Sequence, residues 1–499
     1  MRALEDETAA VSQPSNKAAA RSVDAELYLT QKLDHLGGDA TTFEQRYFVN
    51  DTFFDAAAGG PVFLCVGGEG PALDASVLYH SVHCSDMTEL APRAGALMFA
   101  LEHRYYGKSV PVGAPREYLS SHQAVYDIAT FVGAMTSKYE LDADATKWVT
   151  FGGSYPGMVS GFARLKLPHL IHASVSSSSP WRAKVDMQEY NDVVGNALAV
   201  TSVGGSDECR EIVARGHATL AGFAQSGDTA SLQEAAATFD FCDADALLDD
   251  ATFKTWAGYG VISVPAQEND PADSSPAGNI GSICATLLAT EGDDLAKLAA
   301  VSKLQNGDHC LAGGASSFAS SSSSSEAFVS ALAAALPAGS LAVKNAPKSA
   351  LLGAVASDAL SWPWQTCTEF GFYQTCEVGS SCPYAQGYDT LDDEIAMCER
   401  LFNISADEVA QNVDFANLVY GADAPRASRI LFPNGNVDPW SGLGVSDSPD
   451  GNVTEIVFTV DGASHHAWTH PADTIVQQSV KDAKLFIQDT VMAWLQLPK

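Results

Sequence analysis

Residues 148–158 read Trp148-Val149-Thr150-Phe151-Gly152-Gly153-Ser154-Tyr155-Pro156-Gly157-Met158. A β-prone apolar run leads into two glycines and a serine, and residues 155–167 continue with the apolar spacing of a helix. A strand that bends sharply into a helix at a serine is typical of a nucleophile elbow. Such a bend needs small residues beside the serine, leaves the hydroxyl free, and places the next backbone N–H at a helix N-terminus. We therefore predict that Ser154 is a nucleophile; the alternative is a glycine-rich connection without chemistry.

Pro156 departs from the general G-x-S-x-G pattern, in which a glycine stands two residues after the serine. Proline is tolerated in the first turn of a helix, because its missing N–H would have had no partner there. A helix that starts directly after Ser154 is therefore compatible with this residue.

The net charge of the chain limits the kinds of molecule that it is expected to bind. Among 499 residues there are 28 basic and 61 acidic side chains, which gives a formal charge of −33. So acidic a protein is a poor ligand for nucleic acid or for an anionic membrane surface. A hydrophobic content of 46% is ample for a large core. No apolar run approaches the roughly 18 residues of a membrane span, so we expect none.

The ten cysteines favour disulfides. Their number is even, and they lack the paired C-x-x-C spacing of a zinc site, so we expect neither a metal nor another cofactor. Buried free thiols are the alternative. Three N-x-[ST] sequons, at Asn50, Asn403 and Asn452, also point to the secretory route. We therefore expect a lysosomal, vacuolar or extracellular protein.

The first 24 residues show no signal peptide. They are polar and rich in alanine, and they lack an apolar h-region. We therefore expect either a truncated or misassigned gene or a protein without a leader.

Apolar runs and helical segments alternate along most of the chain. We predict strands at 61–66, 95–101, 147–151, 171–176, 428–432 and 454–460, and helices at 122–139, 155–167 and 473–495. Residues 28–47 are interpreted as an irregular arm followed by a strand. Alternation of this kind is typical of a parallel α/β sheet.

Residues 186–351 differ from the preceding segment in composition, since they are rich in alanine and other helix formers. We predict a helical cap at 186–351, inserted between the two parts of an α/β-hydrolase core at 26–185 and 352–499, after a disordered leader at 1–25. The serine run at 320–325 is expected to be a mobile surface loop.

Three predicted strand ends carry a serine, an aspartate and a histidine. Ser154, Asp438 and the pair His465/His466 occur in the chain order of the α/β-hydrolases. Because the carboxyl ends of parallel strands share one edge of a sheet, residues far apart in sequence converge there. A neutral imidazole accepts the serine proton, and a fixed carboxylate orients the resulting imidazolium. We predict Ser154 as nucleophile, His465 as base and Asp438 as the orienting carboxylate.

An oxyanion site is expected beside this triad. The Tyr155 N–H is one predicted donor, and the loop 67–71 that follows the strand at 61–66 supplies the second, which we assign to Gly68. Each such donor is typically worth ~3–4 kcal/mol in the transition state. Residues 362–384 concentrate aromatics and cysteines, which indicates either core with disulfides or the wall of an apolar substrate pocket.

Several segments resemble the S28 serine peptidases. They are GGEGP at 67–71, EHRYYGKS at 102–109, GGSY at 152–155 followed by ARLKLPHL at 163–170, QTCTEFGFY at 365–373 and NGNVDPW at 434–440. The family includes lysosomal Pro-X carboxypeptidase, dipeptidyl peptidase II and thymus-specific serine protease. The similarity runs from about residue 33 to the C-terminus and is greatest to the thymus-specific branch.

The resemblance implies a capped α/β-hydrolase that cleaves peptide bonds next to proline at a chain end. It favours His465 over His466, because relatives often have cysteine at the second position. It also places Met158 and Trp440 in a proline pocket. Glu69 is a candidate partner of a substrate N-terminus or a structural acceptor. Ala467-Trp468 replaces the x-Asp usual after the histidines.

Three functions stay open at this point. The leading one is a prolyl exopeptidase acting on proline-containing peptides, of carboxypeptidase or dipeptidyl peptidase type. A carboxylesterase would use the same triad. An inactive binding or storage protein is favoured by the unusual Pro156 and Trp468. A homodimer is also kept open.

Overall fold

The computed structural model describes residues 25–313, 360–446 and 455–499. The predicted leader, apart from residue 25, and the serine run at 320–325 lie outside the described residues, as does the last part of the predicted cap.

Eight strands form one sheet in the order β1-β2-β4-β3-β5-β6-β9-β10. Strands β1 and β2 pair antiparallel, β2 runs antiparallel to β4, and the remaining neighbours are parallel. A separate parallel pair is formed by β7 and β8. The strands are β1 Leu27–Lys32, β2 Thr42–Asn50, β3 Val62–Val66, β4 Leu97–Leu101, β5 Trp148–Gly153, β6 Ile171–Ser177, β7 Lys184–Asp186, β8 Gly371–Tyr373, β9 Ile430–Gly435 and β10 Glu455–Val460. This mostly parallel sheet confirms the predicted α/β-hydrolase class.

The prediction for residues 28–47 was wrong in one respect. Residues 28–32 belong to the regular strand β1, and are not part of an irregular arm. Strand β1 lies at the sheet edge and alternates between exposed positions and positions that are half-buried or buried, so it lacks the apolar run that marks the central strands.

Helices cover both faces of the sheet, and the central strands are buried on both sides. In β3, Val62 and Leu64 face one apolar core while Phe63 and Cys65 face the other, as the two-residue period of a strand requires. The helices are α1 Ser85–Ala94, α2 Ser121–Lys138, α3 Tyr155–Lys166, α4 Gln188–Ala197, α5 Asp207–Ser226, α6 Thr229–Thr238, α7 Asp250–Phe253, α8 Ile280–Ala289, α9 Asp294–Asn306, α10 Ser361–Gln365, α11 Leu391–Phe402, α12 Ala406–Tyr420 and α13 Gln478–Trp494. Helices α2, α3 and α12 pack on the first face, and α1 and α13 on the second.

Helices α4 to α9 build an apolar core of their own. They lie within the segment predicted as a cap. Residues Cys376, Cys382 and Tyr384 pack into the same core, so the chain after residue 360 contributes to both the helical layer and the sheet layer. The domain boundaries given above remain a prediction.

All ten cysteines form disulfides, as predicted. The pairs are Cys65–Cys84, Cys209–Cys284, Cys242–Cys310, Cys367–Cys398 and Cys376–Cys382. Five disulfides are typical of a protein of the secretory route. Within the described ranges, no helix is long and apolar enough to cross a bilayer.

The sequons differ in accessibility. Asn50 is 6% exposed and its amide donates to the Leu78 carbonyl oxygen at 3.2 Å. Asn403 is exposed at the end of α11. Asn452 lies outside the described residues.

Candidate active site

The elbow predicted from sequence is present between β5 and α3. Strand β5 ends at Gly153, and α3 begins at Tyr155. Ser154 between them has φ 62°, in the left-handed region that non-glycine residues rarely adopt. Its N–H donates to the Ser177 carbonyl oxygen at 2.9 Å, which ties the bend to β6. Strained backbone at a single serine between a strand and a helix is what a nucleophile elbow requires.

The predicted carboxylate and imidazole meet after β9 and β10. Asp438 is completely buried, and its Oδ1 lies 2.9 Å from His465 Nδ1. The same oxygen accepts the Trp440 N–H at 3.0 Å, which fixes the carboxylate at the start of a short 3₁₀ helix. Since an ionised carboxylate only accepts hydrogen bonds, Nδ1 carries the proton, and Nε2 of the neutral ring has a free lone pair.

Nε2 of His465 is buried and has no hydrogen-bond partner among the described residues. It lies on the side of the ring away from Asp438. A buried basic nitrogen without a partner is suited to accept a proton from a group that approaches it.

His466 has a different environment from His465. Its N–H donates to Ser178 Oγ at 2.8 Å, and its Nδ1 lies 3.1 Å from Thr469 Oγ1. Burial and the neighbouring His465 hold the pKa of His466 well below its usual value. The ring packs on Gly153, where an added Cβ would lie 2.7 Å from it. Of the two histidines, His465 is therefore the one that contacts the carboxylate.

Trp468, which stands where an aspartate was expected, is a buried structural residue. Its indole Nε1 donates to Ser177 Oγ at 2.9 Å, and the side chain is fully enclosed. Ser177 also accepts the Ser154 N–H through its carbonyl oxygen. The histidine loop is thus attached to the same residue of β6 that holds the elbow.

The loop after β3 packs directly on the elbow. The Pro156 ring lies over Gly68, where an added Cβ would come within 2.3 Å of the proline Cγ. The Gly67 N–H is hydrogen-bonded to strand β4, since it donates to the Leu101 carbonyl oxygen at 2.9 Å. Tyr155 is the first residue of α3, so its N–H is one of the helix donors without an intrahelical acceptor.

Glu69, in the same loop, lies within electrostatic range of His465. Burial raises the pKa of Glu69 to about 7, although its own backbone N–H and His465 oppose the rise. Its Oε2 is buried and has no hydrogen-bond partner among the described residues.

A residue of the helical layer, Gln267, contacts the site and was missed in the sequence. Its carbonyl oxygen accepts the His465 N–H at 3.0 Å, and its Oε1 accepts from Trp440 Nε1 at 2.9 Å and from the Tyr190 hydroxyl at 2.8 Å. A single glutamine in a loop between helices carries no sequence signal of such a role.

Of the two residues placed in a proline pocket, Trp440 lies next to the site and Met158 lies in the core. The Trp440 ring is 6.2 Å from the His465 ring and packs edge-on against Tyr190 and Phe372, each at 5.5 Å. Met158 is completely buried among the residues of the first sheet face.

The family described as Serine carboxypeptidase S28 matches residues 31–487. The chain belongs to the serine carboxypeptidase S28 family.

Relatives of this S28 chain cover nearly all of it. It is 33% identical to putative serine protease K12H4.7 of Caenorhabditis elegans over 93% of the chain and 87% of the relative. It is 32% identical to human thymus-specific serine protease over 95% of the chain and 87% of the relative. Identity to lysosomal Pro-X carboxypeptidase of Bos taurus is 23% over 88% of the chain and 81% of the relative.

The S28 segment 102–109 forms a structural corner of the fold. Arg104 is fully buried and pairs with Asp127 at 2.6 Å, and Glu102 accepts from the Arg46 guanidinium. His103 Nε2 lies 2.9 Å from the Tyr155 hydroxyl beneath the elbow. Burial lowers the pKa of His103 to about 4, so this histidine is neutral.

In the described part of this S28 peptidase, no cluster of three or more histidine, cysteine or carboxylate side chains is arranged to hold a metal ion.

Proposed function

We propose that this S28 peptidase is a serine exopeptidase that hydrolyses peptide bonds adjacent to proline at a chain end, through an acyl-enzyme. The observation that carries the proposal is the 2.9 Å contact between Asp438 and His465, with the far nitrogen of His465 buried and without a partner. The strained Ser154 at the end of β5 supplies the nucleophile.

In the first half of the reaction, the Ser154 hydroxyl attacks the carbonyl carbon of the substrate. Its proton passes to Nε2 of His465, and Asp438 stabilises the imidazolium. The carbonyl oxygen, which becomes negatively charged, accepts hydrogen bonds from the N–H groups of Tyr155 and Gly68. Gly68 is the preferred loop donor because the Gly67 N–H is used by β4 and the Glu69 N–H interacts with its own carboxylate.

His465 then gives its proton to the leaving amine, and the C–N bond breaks to leave an ester on Ser154. In the second half of the reaction, water attacks this ester, and His465 accepts the proton that the water loses. The proton returns to Ser154 as the acid product departs.

Preference for proline is supported by the aromatic surroundings of Trp440 and by the name of one relative, lysosomal Pro-X carboxypeptidase. A rigid pyrrolidine ring suits a wall of aromatic faces. Trp440 carries this part of the proposal more strongly than Met158, since Met158 is enclosed in the core. Glu69 is proposed to face the substrate, because its carboxyl lies within electrostatic range of His465 and has a buried oxygen without a hydrogen-bond partner among the described residues.

The compartment is part of the proposal. Five disulfides need an oxidising environment to form, and one relative is named as lysosomal. We place the protein in the secretory pathway, with a lysosomal, vacuolar or extracellular destination.

The test is a substrate profile on purified protein. Xaa-Pro-reporter peptides with a free amine, N-blocked peptides ending in Pro-Xaa, and simple acyl esters are compared from acidic to neutral pH. Ser154→Ala should abolish hydrolysis and labelling by a fluorophosphonate, whereas Ser137→Ala, on the exposed face of α2, should change neither. Cleavage of esters alone would point to a carboxylesterase, and peptide cleavage that survives Ser154→Ala would refute the mechanism.

A further inference from the structure

A cavity of about 520 Å³ lies between the helical layer and the segment 363–397. This volume is within the range of sites that enclose drug-sized ligands. Gln267 and Tyr190 line one end of it. Because Gln267 also holds the His465 N–H and the Trp440 indole, the cavity begins beside the proposed active site.

The lining of this cavity is acidic. Three carboxylates contribute to it, from Glu268, Asp389 and Glu394, and none of the described lining residues is a lysine, arginine or histidine. The Tyr259 hydroxyl donates to Glu394 at 2.6 Å, so one carboxylate is oriented by a neutral donor. A concave site with charge of a single sign attracts a ligand of the opposite charge.

Asp389 is the decisive residue of the lining. It is 2% exposed, and its Oδ1 is buried with no hydrogen-bond partner among the described residues. Its position is fixed, because its carbonyl oxygen accepts the N–H of Cys376, which is tied to Cys382 by a disulfide. A buried carboxyl oxygen without a partner is costly, and a bound cationic donor would remove that cost.

Burial and acidic neighbours disfavour the charged form of Asp389. Burial, followed by the nearby Glu394, Asp393 and Glu377, raises the pKa of Asp389 well above its usual value. Lys254 opposes the rise, and its Nζ is paired with Asp393.

Irregular helix geometry occurs at the same cavity. Two single turns of π-helix, Lys254–Gly258 and Thr366–Phe370, contribute Thr255, Trp256 and Thr366 to its lining. Such turns are rare and are frequently found at functional sites.

We propose that this cavity binds a cationic nitrogen of the peptide substrate, with Asp389 and Glu394 as its acceptors. The nitrogen belongs either to an α-ammonium group or to a lysine or arginine side chain. The inference rests on the proposed peptidase function, and it assigns a charge preference to a cavity that shares Gln267 with the proposed active site.

The test measures binding and does not depend on turnover. The Ser154→Ala protein is titrated calorimetrically with two matched pairs of proline-containing tripeptides. One pair carries arginine or its neutral isostere citrulline, and the other carries a free or an acetylated N-terminus. We expect the cationic member of at least one pair to bind about tenfold or more tightly, as charge-assisted hydrogen bonds imply. The pair that shows the difference identifies the source of the nitrogen.

Asp389→Asn in the same background should reduce that preference to about twofold or less, while Asp392→Asn, an exposed carboxylate on the same helix as Glu394, should leave it unchanged. If Asp389→Asn does not fold, Glu394→Gln replaces it, with the same expectation. Equal binding within both pairs, or a preference that survives both substitutions, would overturn the proposal. Failure of the peptidase proposal would show instead as absent turnover in the unmodified protein, which this titration does not require.

Discussion

Oδ1 of Asp438 lies 2.9 Å from Nδ1 of His465, and the aspartate is completely enclosed by protein. The carboxylate selects the tautomer in which Nε2 is free to accept a proton. Asp438→Asn keeps the size of the side chain but allows the amide to donate to the ring, which favours the wrong tautomer. We expect kcat to fall by roughly 10⁴-fold with little change in KM. A kcat within about tenfold of the unmodified enzyme, on the best peptide substrate, would contradict the assignment.

The two adjacent histidines should differ sharply in their effect on turnover. His465→Ala removes the ring that contacts Asp438, so kcat should fall by roughly 10⁴-fold or more. His466 has a left-handed backbone with φ 39°, and His466→Asn places a residue there that tolerates this conformation. We expect His466→Asn to retain kcat within about tenfold, because the Asp438–His465 contact is preserved. The opposite ranking in steady-state kinetics would make His466 the base.

The contact between Gly68 and Pro156 can be tested by a paired substitution. Gly68→Ala would bring its Cβ to 2.3 Å from the Pro156 Cγ and so displace the loop that carries the proposed oxyanion donor. Loss of one such donor lowers kcat by about 10²–10³-fold. Pro156→Ala removes the clashing ring atoms, so the double variant should recover at least part of the lost kcat.

The control for this pair is Pro156→Ala alone, which should keep most of the activity, since proline is not required in the first turn of α3. If Gly68→Ala is inactive to the same degree with and without Pro156→Ala, steric displacement by the proline is not the cause.

The sequence predicted the central part of this structure well, and the reason is physical. Strands such as β3 and β4 are buried on both faces, so they appear in the sequence as continuous apolar runs. The turn that ends each strand limits which residue types can follow it. The positions of Ser154, Asp438 and His465 on one sheet edge follow from the parallel order of the strands.

What the sequence did not predict depends on contacts between distant segments. Gln267 contacts Trp440 across 173 residues of sequence and His465 across a similar separation, and no periodicity encodes these contacts. The enclosure of Met158 depends on which face of α3 meets the sheet beside α2 and α12. Asn50 is a sequon by its tripeptide, but the packing of its amide against Leu78 is a property of the folded chain.

The pH dependence of stability should be set in part by Asp86, on α1. Burial raises the pKa of Asp86 from 3.8 to about 7, although Lys484 opposes the rise. Between these values the native state keeps a proton that the unfolded chain has lost. The unfolded state therefore binds fewer protons, and the free energy of unfolding falls as pH rises through this range.

The measurement is urea unfolding of the unmodified protein and of Asp86→Asn at about pH 5 and about pH 7.5. At about 1.4 kcal/mol per pKa unit, this group should lower the free energy of unfolding of the unmodified protein by roughly 2–4 kcal/mol as pH rises. Asp86→Asn cannot titrate, so its loss over the same interval should be smaller by that amount. Asp489→Asn, which removes an exposed carboxylate paired with Arg93, should retain the full dependence, because a surface ion pair contributes little. The same pH dependence in Asp86→Asn as in the unmodified protein would show that Asp86 is not the titrating group.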